Sequence, residues 1–175
     1  PLQVDDGAPL TGKASANLAF PAGAAALAVD GRPDTAWSAD LHGDMDPQLT
    51  LDLGRLREFG GLVLDWKPGQ HASDYLVQLS DDGVRWRDVR TVVGGNGGTD
   101  YLALPESEAR YVRLAIGDGP EHAFALAELE VKPLAFAAHP NDLLKAMAAE
   151  SPKGWFPRGF SGEQPYWTIV GLDGG

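Results

Sequence analysis

The sequence contains no cysteine, so a disulfide framework, a thiolate zinc site, an iron–sulfur cluster and a cysteine nucleophile are all excluded. Positive charge is scarce: 14 Lys and Arg stand against 25 Asp and Glu, a net charge of −11. Nucleic-acid binding rests on Lys and Arg neutralising phosphates, and anionic membranes attract the same residues, so both partners are disfavoured. No apolar run approaches the roughly 20 residues that span a bilayer, and no membrane insertion is expected. Catalytic signatures are missing too: there is no His-Glu-x-x-His, no Gly-x-x-x-x-Gly-Lys and no Gly-x-Ser-x-Gly. Gly94 to Gly98 is glycine-rich but lacks the lysine and the strand–helix context of a phosphate loop. A carboxylate pair is not excluded by composition. A domain this small offers no evident deep cleft, however, so no independent catalysis is expected.

What is present is turn chemistry and alternation. The 22 Gly and 13 Pro among 175 residues disfavour a helical bundle, and the length suits one domain with an appendage. Residues 1–13 read as a loop or edge segment. Residues 14–29 are Ala-rich but broken by Pro21 and Gly23, which predicts an irregular connection. Asp30-Gly-Arg-Pro-Asp-Thr35 is a dense turn cluster that supplies loop oxygens. Strand patterns follow at Gln48–Leu53, Gly61–Trp66, Asp74–Ser80, Trp86–Val93, Asp100–Leu104, Arg110–Ile116 and Phe124–Val131. Such spacing predicts an all-β sandwich or barrel. Good helix formers over 142–150, with Asn141 as N-cap and Ser151-Pro152 as the stop, predict a single helix. The composition changes near 133–140, which places a β-domain at 1–132 and a linker-like helix with an aromatic tail at 133–175.

Five blocks in order carry a resemblance. Ala28-Val-Asp-Gly-Arg-Pro-Asp-Thr-Ala-Trp-Ser38 resembles the "A-x-D-G-x-x-x-T-x-W" loop of the discoidin domain family. Leu49-Thr-Leu-Asp-Leu-Gly54, Tyr75-Leu-Val-Gln-Leu-Ser-Asp-Asp-Gly-Val-Arg-Trp86, Ala109-Arg-Tyr-Val-Arg-Leu114 and Ala127-Glu-Leu-Glu-Val131 resemble its later strands. That family includes the coagulation factor five/eight C-type domains and the bacterial family thirty-two carbohydrate-binding modules. The resemblance implies an antiparallel jelly-roll β-sandwich, the galactose-binding-like fold, and a ligand-binding module rather than a catalyst. Trp37 and Trp86 fall in its core motifs and are expected to be packed.

The resemblance further implies a structural Ca²⁺ site where the Asp-Gly loop meets the last strand. Mapped by motif, Asp30 and Glu128 would give carboxylates and Thr35 a hydroxyl or carbonyl, while Leu27, Arg32 and Ala127 would give backbone carbonyls. Two anionic side chains plus carbonyls suit a hard divalent cation. Arg32 departs from the small polar residue common at that place. The alternative is that Asp30 only caps a turn and Glu128 pairs with a neighbouring cation.

Sugar recognition needs an aromatic face and a few planar polar groups, which the resemblance places in loops at one end of the sandwich. The candidates are Asp40 and His42, then Lys67, Gln70 and His71, then Asn96, then His122 and Phe124, with Trp66 as an aromatic face at the end of its strand. Each has a structural alternative: a packed aromatic, or an ordinary surface histidine. No arginine fork for galactose is evident in these loops, so a degenerate site is the competing reading.

The chain begins at Pro1 without a basic n-region, and Trp167–Val170 reads as a strand close to the last residue. It is expected to be a piece of a longer secreted or periplasmic polypeptide. The aromatic segment 154–170 resembles the joint between such a module and a glycoside-hydrolase-like region. The sequence therefore predicts a carbohydrate-binding accessory module with a glycan ligand and a downstream domain of the same polypeptide as partners. The alternative is an interaction domain that docks on that downstream domain and binds no free sugar. The tail is expected to fold back onto the sandwich or to support a weak dimer.

Overall fold

The structure is a computed structural model that describes residues 7–18, 24–40, 46–119, 123–150 and 167–170. The strands are β1 (Lys13–Ala16), β2 (Trp37–Asp40), β3 (Gln48–Trp66), β4 (Asp74–Ser80), β5 (Arg87–Val92), β6 (Thr99–Asp118), β7 (Ala123–Lys132) and β8 (Trp167–Val170). A 3-10 turn occupies Ala24–Ala28, another Leu134–Phe136, and the helix α1 runs Pro140–Glu150. Strand order is β2-β7-β3-β6-β4-β5, with β1 added to β3 and β8 to β6. Every pairing is antiparallel except β6 with β8, which is parallel. The result is an open, mostly antiparallel β-sandwich with one helix.

Two strands predicted as pairs of short ones are continuous. β3 runs through both Gln48–Leu53 and Gly61–Trp66, and β6 through both Asp100–Leu104 and Arg110–Ile116. Their mutual register shifts between Asp52 and Arg57 and again between Phe59 and Gly61, where the strands pass from one layer to the other. The first half of β3 alternates buried Leu49, Leu51 and Leu53 with half-buried partners, the mark of a strand with one solvated face. The second half, Phe59–Leu64, is buried throughout, because it is covered on both faces.

The inner cover is the main core, which joins Trp37, Leu49, Leu62, Leu79, Leu114 and Phe124 among others. The outer cover is a second cluster of Val63, Tyr101 and Ala103 under Phe136, Leu143 and Met147. Leu143 and Met147 are four residues apart and so share one helix face. Gly61 permits the approach: a Cβ there would lie 2.4 Å from Phe136 Cδ1 and 2.6 Å from the Leu102 carbonyl. The helix begins one residue before the predicted Asn141 cap. Pro140 takes the first helical position, where its missing N–H costs nothing, and the His139 carbonyl accepts from Asp142 N–H at 2.9 Å. The expected irregular stretch at 14–29 contains an ordered edge strand, β1, and a 3-10 turn that buries Ala24, Ala25 and Ala28.

Candidate glycan and cation sites

The Asp-Gly loop is built around the Thr35 hydroxyl. Its oxygen lies 2.9 Å from both carboxylate oxygens of Asp30, 2.9 Å from the Arg32 carbonyl and 3.5 Å from the Leu27 carbonyl. A hydroxyl has one proton to donate, so most of these contacts set oxygen against oxygen. Asp30 Oδ1 also accepts the Arg32 N–H at 2.9 Å, and Glu128 Oε2 accepts the Gly31 N–H at 3.1 Å. The two carboxylates thus accept from successive backbone N–H groups, Glu128 of β7 from Gly31 and Asp30 of the loop from Arg32. Burial pushes the Glu128 carboxyl above its usual 4.5, and the charges of Asp30, Glu130 and Asp65 add to that against the Gly31 hydrogen bond.

Arg32 stays in the loop only by its backbone. Its guanidinium turns outward to Asp34, 3.0 Å away, in an exposed pair, which leaves the Arg32 carbonyl facing Thr35. Ala127 is passed over in the β3–β7 register, where Asp65 faces Glu128 and Trp66 faces Leu126. A residue skipped in this way is a bulge, and its backbone is re-aimed relative to the ladder. No cluster of three or more His, Cys, Asp or Glu exists among the described residues. Any cation here rests on two carboxylates supplemented by neutral oxygens.

An open cleft of ≈450 Å³ lies beside this loop, with Asp34, Ser38, Lys67 and Gln70 as its polar lining and Ala123–Ala125 of β7 beneath. The turn carrying Lys67 and Gln70 is stapled to β7: Lys67 N–H donates to the Ala125 carbonyl at 2.9 Å, and Ala125 N–H to the Gln70 carbonyl at 2.7 Å. Gly69 closes that turn with φ +73°, a conformation that side chains with a Cβ rarely adopt. Lys67 Nζ reaches the Pro33 carbonyl at 2.5 Å and so bridges the cleft to the Asp-Gly loop.

The predicted aromatic faces are not available. Trp66 is 5% exposed and Phe124 1% exposed, so neither presents a surface to a sugar. Trp66 is held inward because its indole N–H donates to Asp100 Oδ2 at 2.8 Å, an oxygen that also accepts from the Tyr75 hydroxyl at 2.6 Å. Burial, with the Asp100 charge and hydrogen bond, raises the Tyr75 phenol well above its usual range. Phe124 stands edge-on to Trp37 with ring centroids 4.7 Å apart. Trp86 departs from expectation in the other direction: it is half-buried, lies outside both core clusters, and stacks under the Arg113 guanidinium 3.7 Å from its ring centre.

Of the other sugar-binding candidates, Lys67 and Gln70 line the cleft. His71 is packed against the glycine loop, where a Cβ on Gly97 would come within 2.7 Å of its Nδ1, and Asn96 is exposed on the same loop. The Asp40 backbone pairs with Ala123 at the end of β2, next to the cleft. His42 and His122 lie outside the described residues. Asp34 and Ser38 are not among the named sugar candidates, although Asp34 lies in the Asp-Gly motif and Ser38 opens the first of the expected sugar-binding loops, 38–47. Within the described residues, no helix is long and apolar enough to cross a membrane.

An open antiparallel sandwich with an Asp-Gly loop against its closing strand, and a polar cleft beside that loop, defines a discoidin-like binding domain. The pattern of the F5/8 type C domain matches residues 11–129, and the chain belongs to that family. Its structural neighbours are carbohydrate-binding modules. Chitosan-binding module 1 from the chitosanase/glucanase of Paenibacillus sp. IK-5 is 30% identical, with TM-score 0.62, covering 70% of this chain and 96% of that one. CpGH89CBM32-5 from Clostridium perfringens, in complex with GalNAc-β-1,3-galactose, is 24% identical, with TM-score 0.64 over 71% of this chain and 99% of that one. Among curated proteins, the polysaccharide lyase 8 family protein HylA of Enterococcus faecalis is 32% identical over 107 residues. That match covers 58% of this chain but only 7% of HylA.

Proposed function

We propose that this domain is a non-catalytic carbohydrate-binding module of a larger extracytoplasmic carbohydrate-active protein. The observation that carries the reading is the cleft, which sets an ammonium, an amide, a hydroxyl and a carboxylate around one open volume beside β2 and β7. Planar and charged groups of this kind hydrogen-bond ring hydroxyls, and a rigid support fixes their spacing. Relatives of this fold bind chitosan or GalNAc-β-1,3-galactose, which supports a glycan ligand of that general kind. With Trp66 and Phe124 buried, recognition here relies on polar groups more than on stacking. The measurement is isothermal titration with chitooligosaccharides and galactose-containing oligosaccharides. Lys67→Ala and Gln70→Ala are each expected to weaken binding about tenfold, the loss of roughly 1.4 kcal/mol. A glycan array that stays blank for the folded domain would sink the sugar reading and favour docking on a downstream domain.

The reading includes a structural Ca²⁺ at the Asp-Gly loop. The donor set fits: Asp30 and Glu128 would supply carboxylates, Thr35 its oxygen, and Leu27, Arg32 and Ala127 carbonyls, all hard oxygen ligands. A bound divalent cation would supply charge that relieves the oxygen–oxygen contacts around Thr35. Calcium at about a hundred times its dissociation constant is expected to add roughly 2.7 kcal/mol to stability. Asp30→Ala and Glu128→Ala should each abolish the rise in melting temperature. The effect also depends on pH. Because the folded-state pKa of Glu128 is raised, its contribution to stability is fully present below the usual 4.5 and is lost as pH rises through the folded value. A cation beside the ionised carboxylate removes that loss, so the calcium-induced shift should grow from pH 4 to pH 7. Identical melts in chelator and in excess calcium at pH 7 would refute the site.

A further inference from the structure

The outer face of the layer formed by β1, the first half of β3, the second half of β6, β4 and β5 carries a row of polar side chains. Register places Ser15 beside Thr50, Thr50 beside Arg113, Arg113 beside Gln78, and Gln78 beside Asp88, one residue from each strand. At the usual strand spacing of about 4.8 Å this row is roughly 19 Å long. The helix lies on the other layer, over Val63, Tyr101 and Ala103.

Arg113 is the centre of the row and is anchored on two sides. Its guanidinium carbon lies over the Trp86 ring, 3.7 Å from the centroid, and its Nε donates to Gln78 Oε1 at 2.8 Å. Gln78 is itself fixed by donating to Asp88 Oδ1 at 2.7 Å. In a protein rich in acid, Arg32, Arg85, Arg87 and Arg110 each hold an aspartate. Among the described residues Arg113 holds none within 4 Å, its two Nη groups donate to no protein atom, and they are not sealed from solvent. Of the neighbouring carboxylates, Asp52 is taken by both Nε and Nη2 of Arg110 at 2.8 Å, and Asp88 by Gln78. Burial lowers the Arg113 pKa and only the charge of Asp88 opposes it, yet a guanidinium remains cationic throughout.

We propose that this face is a second glycan site, in which the Nη groups of Arg113 take a uronate carboxylate of an acidic polysaccharide laid across the strands. A planar fork pre-set on an aromatic ring matches a carboxylate through two parallel hydrogen bonds and loses little entropy in doing so. The row on either side offers Thr50 and Gln78 to the flanking sugars. A flat face suits an extended chain, whereas the cleft suits a short or terminal sugar. The site is separate from the cleft and stands whether or not the cleft binds.

The test is affinity electrophoresis through gels containing polygalacturonate or its fully methyl-esterified form. It is run at about 0.15 M salt, where the Debye length of about 8 Å screens repulsion from the acidic chain as a whole. The wild type should be retarded by polygalacturonate and run freely in the ester. Arg113→Gln and Arg113→Lys should each lose at least tenfold in apparent affinity, the lysine because it keeps the charge but not the fork. Gln78→Ala, which frees the Nε anchor and leaves the Trp86 stack in place, should lose severalfold, so the prediction survives if Arg113→Gln melts early. Titration of Arg113→Gln with neutral oligosaccharides should match the wild type, which keeps this result apart from that of the cleft. Equal retardation by the esterified polymer, or undiminished retardation of Arg113→Gln and Arg113→Lys, would overturn the proposal.

Discussion

Replacing Trp37 by alanine is expected to cost about 3–5 kcal/mol of stability, the range for deleting a buried large aromatic. Trp37 is fully buried, meets Phe124 edge-on at 4.7 Å, and donates its indole N–H to the Leu18 carbonyl at 2.9 Å. Alanine therefore leaves a large cavity and strands one acceptor at the same time. The residue also ends the Asp-Gly loop: β2 starts at Trp37 and pairs with Leu126 of β7, one residue from Ala127 and two from Glu128. Loss of the anchor should thus loosen Thr35 relative to Glu128 and, with them, the proposed calcium site. Urea denaturation reads the first effect as a lower midpoint at unchanged slope. A destabilisation below about 1 kcal/mol would show that β2 repacks without the indole, and that the motif's tryptophan does not tie the loop to the core.

Local patterns revealed what local physics controls. The alternation in Gln48–Leu53 and Arg110–Ile116 reflects one wet and one dry face, so those strands were readable. The alternation vanishes over Phe59–Leu64 because the 3-10 turn and the helix dry the second face, and the unbroken apolar run Leu62–Leu64 is the one local sign of it. Continuity through 54–58 was hidden for a similar reason: Gly54 at φ +80° and the exposed residues after it look like a turn, yet the ladder to β6 resumes at Arg57. The aromatic residues were misassigned because their partners are distant in sequence. Trp66 needs a buried acceptor for its N–H, and Asp100 provides it from 34 residues away. Trp86 sits in a block that the resemblance assigns to the core, but what it meets is Arg113 on the outer face. In the Asp-Gly loop the motif carries most of the geometry, since Asp30, Arg32 and Thr35 contact one another locally. Ala127 and Glu128 arrive from β7. In the cleft, Lys67 and Gln70 were legible as loop polar groups, whereas Asp34 and Ser38 enter because the tight turn at Gly69 is stapled onto β7 beside them.

Leu143→Ala is expected to cost about 2–5 kcal/mol and to lower the single unfolding transition of the whole domain. Leu143 is fully buried, and its neighbours in the outer cluster are sheet residues: Val63 on β3, and Tyr101 and Ala103 on β6. These three sit on the strands that also build the main core, so the helix covers surface that the sandwich would otherwise expose. The composition change near 133–140 argues for the opposite outcome, a linker-like helix whose loss the sandwich tolerates. The two outcomes are separable because they differ in cooperativity and not only in size. If helix and sheet form one unit, far-ultraviolet circular dichroism and tryptophan fluorescence of the variant should shift together. The shared cluster favours that result, because Leu143 and Met147 of the helix and Phe136 of the 3-10 turn before it bury the same sheet residues, and Phe136 approaches Gly61 so closely that any Cβ there would collide with it. A variant that loses helical signal early while the tryptophan transition stays at the wild-type midpoint would restore the boundary near residue 133. Residues 133–150 would then be an appendage that rests on the sheet without supporting it.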